Sequence, residues 1–425
     1  MAKFFNTFAG AKIAFMAEQN RDLADAAHRA SLAAAYRRVL LEDVIPFWMT
    51  HGLDQEHGGI ITSLDRDGTI LDTDKSVWFQ GRAGWMFATV FSTVERRTEW
   101  LEAARSCVEF LRRHCFSPEG KLYFAVTREG RPLRMRRYVF SEAFAAIANA
   151  AFAKAGADSQ AADDAPRIFA NYLRYSFTPG LLAPKFEPAR PLKAIAPHII
   201  AIATAQELRA NLGDVSISGR TCTEWAERSI RAIETEFMKP EHAALMELVG
   251  EHNEVLEHFD GRTLNPGHAL EAAWFIMHEG KLRGDKRLVT LGLTILDWMW
   301  KRGWDEELGG FFYFRDLRGL PVQEYWHDMK FWWPHNEAVI ATLLAWTLTG
   351  EKRYARWHQL ADDWSFAHFA DPEFGEWYGY LHRDGTPSVR LKGNLWKGPF
   401  HLPRMLWYCS QVLLAGGSSG LGVRA

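Results

Sequence analysis

The 425-residue sequence predicts an all-α fold, an (α/α)6 barrel of six helix pairs closed into a ring, with short β-hairpins in the connecting loops. Two observations carry this expectation. A hairpin-like pattern, glycine followed by alternating apolar residues around a charged turn, recurs at intervals of roughly 60 to 67 residues. Between copies the chain reads helical, with room for two helices each time. Closure into a ring is favoured over an open solenoid because several inner helices begin with polar residues, which suits helices meeting around a wet cavity. A solenoid would more often show a long polar concave face.

In chain order, clear copies of the pattern begin at His57 (HGGIITSLDRDGTI), Glu119 (EGKLYFAVTREGRPL), Leu308 (LGGFFYFRDLRGLPV) and Phe374 (FGEWYGYLHRDGTPS). They place hairpins near 58–70, 120–133, 309–322 and 375–387, each around a turn such as Arg-Asp-Gly. Weaker copies start at Gly180 (GLLAPKFEP) and Glu241 (EHAALMELVGEHNEV). Between them, WLEAARSCVEFLRRHC, VFSEAFAAIANAAFAKAG, HALEAAWFIMHEGKL and NEAVIATLLAWTLTG repeat apolar residues at three- and four-residue spacing, and two of them stop at Gly. Residues 1–415 read as one domain, since no Pro/Gly/Ser-rich linker divides them, and 416–425 (GGSSGLGVRA) as a flexible tail.

Composition narrows the function. Hydrophobic residues make up 48% and charged residues 24%, enough for a sizeable core, and the net charge of −2 gives no electrostatic case for nucleic acid or an anionic membrane. No uncharged apolar run approaches a membrane-spanning length. Asn6, Gly10 and Lys12 interrupt the N-terminus before a signal-peptide core forms. Cys107, Cys115, Cys222 and Cys409 form no CxxC pair and suit reduced thiols in a cytoplasmic protein. The 18 tryptophans suit either a thick helical core or the walls of a sugar pocket.

Helix starts aim unusual groups inward. NPGHALEAAWF (265–275) opens with Pro266, which favours a first turn, and puts His268 and Glu271 on one face with Phe275. FWWPHNEA (331–338) repeats the habit with His335 and Glu337, IAPHIIAIA with His198, and FHLPR with His401. Arg82 in WFQGRAGW shares a helical face with Trp78 and Trp85. A guanidinium in an aromatic stripe needs an acceptor, either a core carboxylate or an oxygen of a ligand. His252 and His258 in EHNEVLEHF show no metal-site spacing such as HExxH and read as loop residues.

These motifs, VWFQGRAGWMF (77–87), TREGRPLRMRRYVFSE (127–142), NPGHALEAAWF, FWWPHNEA, GEWYGYLHRDG (375–385) and WKGPFHLPR (396–404), occur in an order that resembles the N-acylglucosamine 2-epimerase family from about residue 35 to 412. The resemblance implies an (α/α)6 barrel and a cofactor-free, metal-free sugar epimerase that moves a proton at C2 through an enediolate. It implies His268 and His401 as the two acid/base groups, with Arg82, Glu271 and Glu337 beside them. Trp78, His198, Trp333, Trp377, Trp396 and Arg404 are the residues expected to bind substrate. Free-sugar members carry an extra histidine near the start of the His198 helix, and a register shift of two residues would turn His198 away from the pocket.

The family also holds mannose and cellobiose 2-epimerases and mannose–fructose isomerases, so a free-sugar substrate is the alternative to an N-acyl one. Glycoside hydrolases share this type of barrel but need paired carboxylates; the inward groups here are His and Arg. A protein-binding module, as a mammalian relative was first described, would need no facing histidines. The implied partner is a small sugar, with a homodimer and a nucleotide effector left open. The run Arg128, Arg131, Arg134, Arg136, Arg137 suits a nucleotide because mammalian members respond to ATP, and suits a solvated turn with ion pairs better.

Overall fold

A computed structural model describes residues 22–136, 138–183, 185–187 and 189–415. The expected tail at 416–425, the N-terminal segment 1–21 and Arg137 lie outside the described residues. Among the described residues, twelve long helices alternate between two layers. The outer ones are α1 (Ala26–Val39, continuing through π-type turns to Gly52), α3 (Thr98–His114), α5 (Ser159–Phe177), α7 (Cys222–Ala232), α9 (Lys286–Gly303) and α11 (Lys352–His368). The inner ones are α2 (Val77–Thr93), α4 (Phe140–Gly156), α6 (Ala196–Leu212), α8 (Pro266–Arg283), α10 (Trp332–Thr349) and α12 (His401–Leu414).

The two layers differ in their apolar pattern. On α3 the buried residues Trp100, Ala103, Ala104, Cys107, Val108 and Leu111 form one stripe, as on a helix with a wet outer face. On α10 every residue from Trp332 to Ala345 is buried, as on a helix surrounded by protein. Each inner helix packs on the next, from α2 through α4, α6, α8 and α10 to α12, and α12 returns to α2, closing the ring. Gly81 permits the tight α2–α4 approach: a Cβ there would fall 2.5 Å from the backbone of Phe144. Most inner-to-outer connections are short turns, for example 284–285 and 350–351; the exception is 213–221, where Ser216–Ile217 pairs with Arg220–Thr221, and the other hairpin-bearing loops lie at the N-terminal end of the inner ring.

Three of the four expected hairpins form: Ser63–Leu64 with Ile70–Asp72, Ala125–Val126 with Pro132–Arg134, and Tyr380–Leu381 with Pro387–Val389. The one placed at 309–322 forms no strand pair within itself; its Phe311 makes a single bridge to Trp304, before the segment. Arg315–Asp316 instead pairs with Thr263–Leu264, because Arg262 holds Asp316 in an ion pair of 2.9 Å and captures the strand. Among the described residues the weak copy at Gly180 forms no strand of its own; Lys193–Ala194, downstream of it, pairs with Leu248–Val249 of the other weak copy.

An ion triad recurs three times in these loops. Asp54 binds Lys75 at 2.9 Å and Arg128 at 2.9 Å; Asp305 binds Lys330 at 2.9 Å and Arg383 at 2.8 Å; Asp371 binds Lys392 at 2.9 Å and Arg66 at 2.7 Å. In each, the aspartate follows an outer helix, the lysine precedes an inner helix and the arginine comes from a hairpin. Arg66 and Asp371 come from opposite ends of the chain, so the third triad fastens the ring where it closes. Arg128, first of the basic run, is thus a structural group. Asp371→Asn would leave Lys392 buried without its counter-charge and is expected to cost about 3–5 kcal/mol, read as a lower thermal midpoint. A midpoint unchanged from wild type would show that the triad does not secure the closure.

Candidate active site

The inner helices surround a cavity of about 1500 Å3. At its hairpin end, the first two turns of α2, α8 and α12 deliver Arg82, His268, Glu271, His401 and Arg404 to its wall. On α8, Asn265 caps the helix by accepting from the His268 N–H at 3.2 Å, and Pro266 starts the first turn, so His268 emerges at the mouth of the ring.

The two histidines at this end of the cavity, His268 and His401, are each gripped at Nδ1 by a carboxylate. Glu247 lies 2.9 Å from Nδ1 of His268, and Glu337 lies 2.7 Å from Nδ1 of His401. A carboxylate at Nδ1 fixes a proton there, which leaves Nε2 as the working nitrogen of each ring. Both imidazoles lie against Trp333, with ring centroids at 5.2 Å for His268 and 5.8 Å for His401, so they flank one indole.

Their electrostatic settings differ. Burial opposes the charged form of His268, but Glu247, and more weakly Glu271, outweigh it and hold its pKa above the usual imidazole value. Burial drives the pKa of His401 well below that value, and the cations Arg404 and Arg82 push the same way. Arg404 shares the Glu337 oxygen that His401 uses, at 2.6 Å, and so cancels the charge that would otherwise favour a protonated imidazole. The pair is thus polarised, with the protonated form favoured on His268 and disfavoured on His401.

Arg82 sits in an aromatic box. Its guanidinium carbon is 4.0 Å from the Phe144 ring centre, 4.7 Å from Phe400 and 5.4 Å from Trp78. It makes no ion pair among the described residues and feels Glu271 and Glu337 only at longer range, its Nε has no partner, and burial lowers its pKa to about 9. The alternative of a core salt bridge therefore falls, and an unpaired cation faces the cavity beside two histidines.

Glu337 is fully buried behind the wall. It accepts from Trp274 Nε1 at 2.6 Å as well as from Arg404, and so braces His401. Arg404 also reaches Glu271 at 2.9 Å. Glu271, Glu337 and His401 converge within 4.8 Å of one another, a spacing a metal could use, but the Arg404 guanidinium lies between the two carboxylates and makes the cluster an ion-pair network.

Trp78, Trp333 and Trp396 line the cavity as expected, and Trp396 is 44% exposed at its mouth. Three expectations need correction. Trp377 is not in the wall: it is 1% exposed and stacks on Phe369 in the core between α11 and its loop. His198 is turned away, against Phe177 and Phe237, because Ala196, Ile199, Ile200 and Ala203 form the cavity face of α6. His335 also faces outward, accepting from the Phe311 N–H at 2.8 Å and stacking on Trp364. Sequence reasoning missed Glu247, which arrives through the long-range 193–194/248–249 pairing, and Phe144 and Phe400, which box Arg82.

Residues 59–401 match the N-acylglucosamine 2-epimerase (GlcNAc 2-epimerase) family. The N-acylglucosamine 2-epimerase of Mus musculus is 35% identical over 384 residues, covering 88% of this chain and 90% of the relative. That of Bos taurus is 36% identical over 381 residues, covering 88% and 89%. Among solved structures, the cellobiose 2-epimerase of Bacillus thermoamylovorans B4167 superposes with a TM-score of 0.78 at 19% identity, over 90% of this chain and 99% of that one, a likeness of fold.

Proposed function

The chain belongs to the N-acylglucosamine 2-epimerase family, and on that premise we propose that it interconverts N-acyl-D-glucosamine and N-acyl-D-mannosamine by proton transfer at C2. The observation that carries the proposal is the pair of carboxylate-held histidines flanking Trp333 beside the unpaired Arg82. In the open-chain sugar, the C1 aldehyde acidifies the C2 hydrogen. Nε2 of His401 takes that proton, the electron pair moves into a C1–C2 double bond, and O1 gains negative charge. Arg82 donates to O1, as an oxyanion group must. Nε2–H of His268 returns a proton to the opposite face of C2; the reverse reaction exchanges the two roles.

The free-sugar alternative gains no support from His198, since the imidazole that would mark it faces away from the cavity. We read residues 1–415 as one catalytic domain of a cytoplasmic protein. No helix among the described residues is long and apolar enough to cross a membrane, and the four cysteines are buried without a disulfide among the described residues.

The test is incubation with N-acetylmannosamine, mannose and cellobiose in D2O, followed by NMR. N-acetylglucosamine signals and C2 deuterium should appear from the first sugar. Turnover of mannose or cellobiose alone would contradict the assignment.

The active form in both directions carries one proton on the histidine pair, so kcat/KM should be bell-shaped in pH. Loss of that proton, held chiefly on His268, sets the alkaline limb. Glu247→Gln removes the main charge that raises the His268 pKa, so the alkaline limb should move to lower pH. A pH–rate profile with an unmoved alkaline limb would remove Glu247 from this role.

A further inference from the structure

The cavity does not stop below the histidines. On α4 its wall runs through Phe140, Phe144, Ile147, Ala151 and Lys154, and α2, α6, α8 and α12 likewise contribute residues from their first turns to their last. Phe140 to Lys154 is about 21 Å at 1.5 Å per residue. Lys154, Ala210, Leu282 and Leu414 at the far end are exposed, so among the described residues the cavity crosses the barrel and has a second mouth at the helix C-termini. Its volume of about 1500 Å3 exceeds the roughly 300–1,000 Å3 of an ordinary small-ligand site.

The two halves differ in chemistry. The hairpin-side half offers Tyr313, Tyr380, Asn394 and Trp396, aromatic faces with polar edges that suit a polyol. Below His268, His401 and the charged groups beside them the wall becomes a largely apolar collar of Phe144, Ile147, Ala151, Ile200, Ala203 and Phe275, in which the Thr204 hydroxyl is turned back onto the Ile200 carbonyl at 2.8 Å. Beyond the collar, polar groups return: Glu207, which accepts from Trp85 at 2.7 Å, and His278, bonded to Tyr408 at 2.8 Å. A sugar whose C2 lies between the two Nε2 atoms has two substituents to house there, the C3–C6 polyol and the N-acyl group. The polyol suits the polar half, which leaves the collar for the acyl chain.

We propose that the apolar collar is a binding subsite for the N-acyl chain, and that the enzyme accepts linear acyl groups well beyond acetyl. This rests on the function proposed above. Because the acyl chain is remote from the reacting bonds, its burial stabilises ground state and transition state alike. KM should fall by up to about fourfold per buried methylene with kcat unchanged, until the chain reaches the polar groups around Glu207 and the gain ends.

The experiment measures kcat and KM of the wild-type protein for N-acetyl-, N-butanoyl-, N-hexanoyl- and N-dodecanoylmannosamine. A KM that falls from acetyl to hexanoyl and then levels supports the subsite. A KM that is flat or rises with chain length overturns it, while the acetyl sugar is still turned over. Failure to turn over any N-acylmannosamine overturns the proposed function itself. Ala203→Phe and, independently, Ala151→Phe fill the collar and should each lower the hexanoyl-to-acetyl ratio of kcat/KM at least tenfold. An unchanged ratio in a folded variant would show that the chain takes another route.

Discussion

His401→Ala is expected to lower kcat/KM for epimerisation by about 10²–10⁴-fold in both directions, the usual scale for losing a positioned acid/base group. The loss must be the same from either epimer, because the equilibrium constant between the two sugars does not depend on the enzyme. The fold should survive. Glu337 keeps Arg404 at 2.6 Å and Trp274 at 2.6 Å when the imidazole is removed, so its carboxylate is not left as an unpaired buried charge. His268→Ala should cost a similar factor. Steady-state kinetics with each epimer, alongside circular dichroism, checks both statements; activity within tenfold of wild type in either variant would strike that histidine from the chemistry.

Arg82→Met should reduce kcat by about 10²–10³-fold from both epimers, the range for losing one oxyanion donor, since both directions pass through the same enediolate. Its effect on stability should have the opposite sign. A buried guanidinium without a counter-ion among the described residues opposes folding, and its pKa, lowered to about 9 by burial, records the same strain. A thioether in the box of Phe144, Phe400 and Trp78 removes that opposition, so the thermal midpoint should hold or rise. Arg82→Lys should not restore the rate, because a point charge cannot reproduce the planar fork held between rings. A variant that loses stability as well as activity would mark Arg82 as a structural group.

The barrel was legible because its repeat is written twice, once in the glycine-turn pattern and once in the helical spacing between copies. Every inner helix that carries cavity chemistry begins within a motif that sequence alone singles out, and His268, His401, Arg82 and Arg404 come to one wall. What local pattern could not resolve was direction. His335 and His198 occupy helix starts like that of His268, yet the neighbours packed on α10 and α6 turn them outward. Trp377 sits in a loop motif beside residues that do line the cavity, but its alternation points it into the core. Glu247 depends on the pairing of Lys193–Ala194 with Leu248–Val249 of the weak copy at Glu241, a register no local pattern specifies. The Asp–Lys–Arg triads lie dispersed over loops of different units, and only the closed ring brings Arg66 to Asp371.

The central claim is that two histidines work on opposite faces of one carbon. Proton exchange at C2 in D2O, followed by NMR for His268→Ala and His401→Ala and started separately from N-acetylglucosamine and N-acetylmannosamine, tests it most directly. Two-base chemistry predicts a crossed result: each variant loses exchange from one epimer and retains exchange from the other, without turning it over. Equal loss of exchange from both epimers in both variants would contradict it.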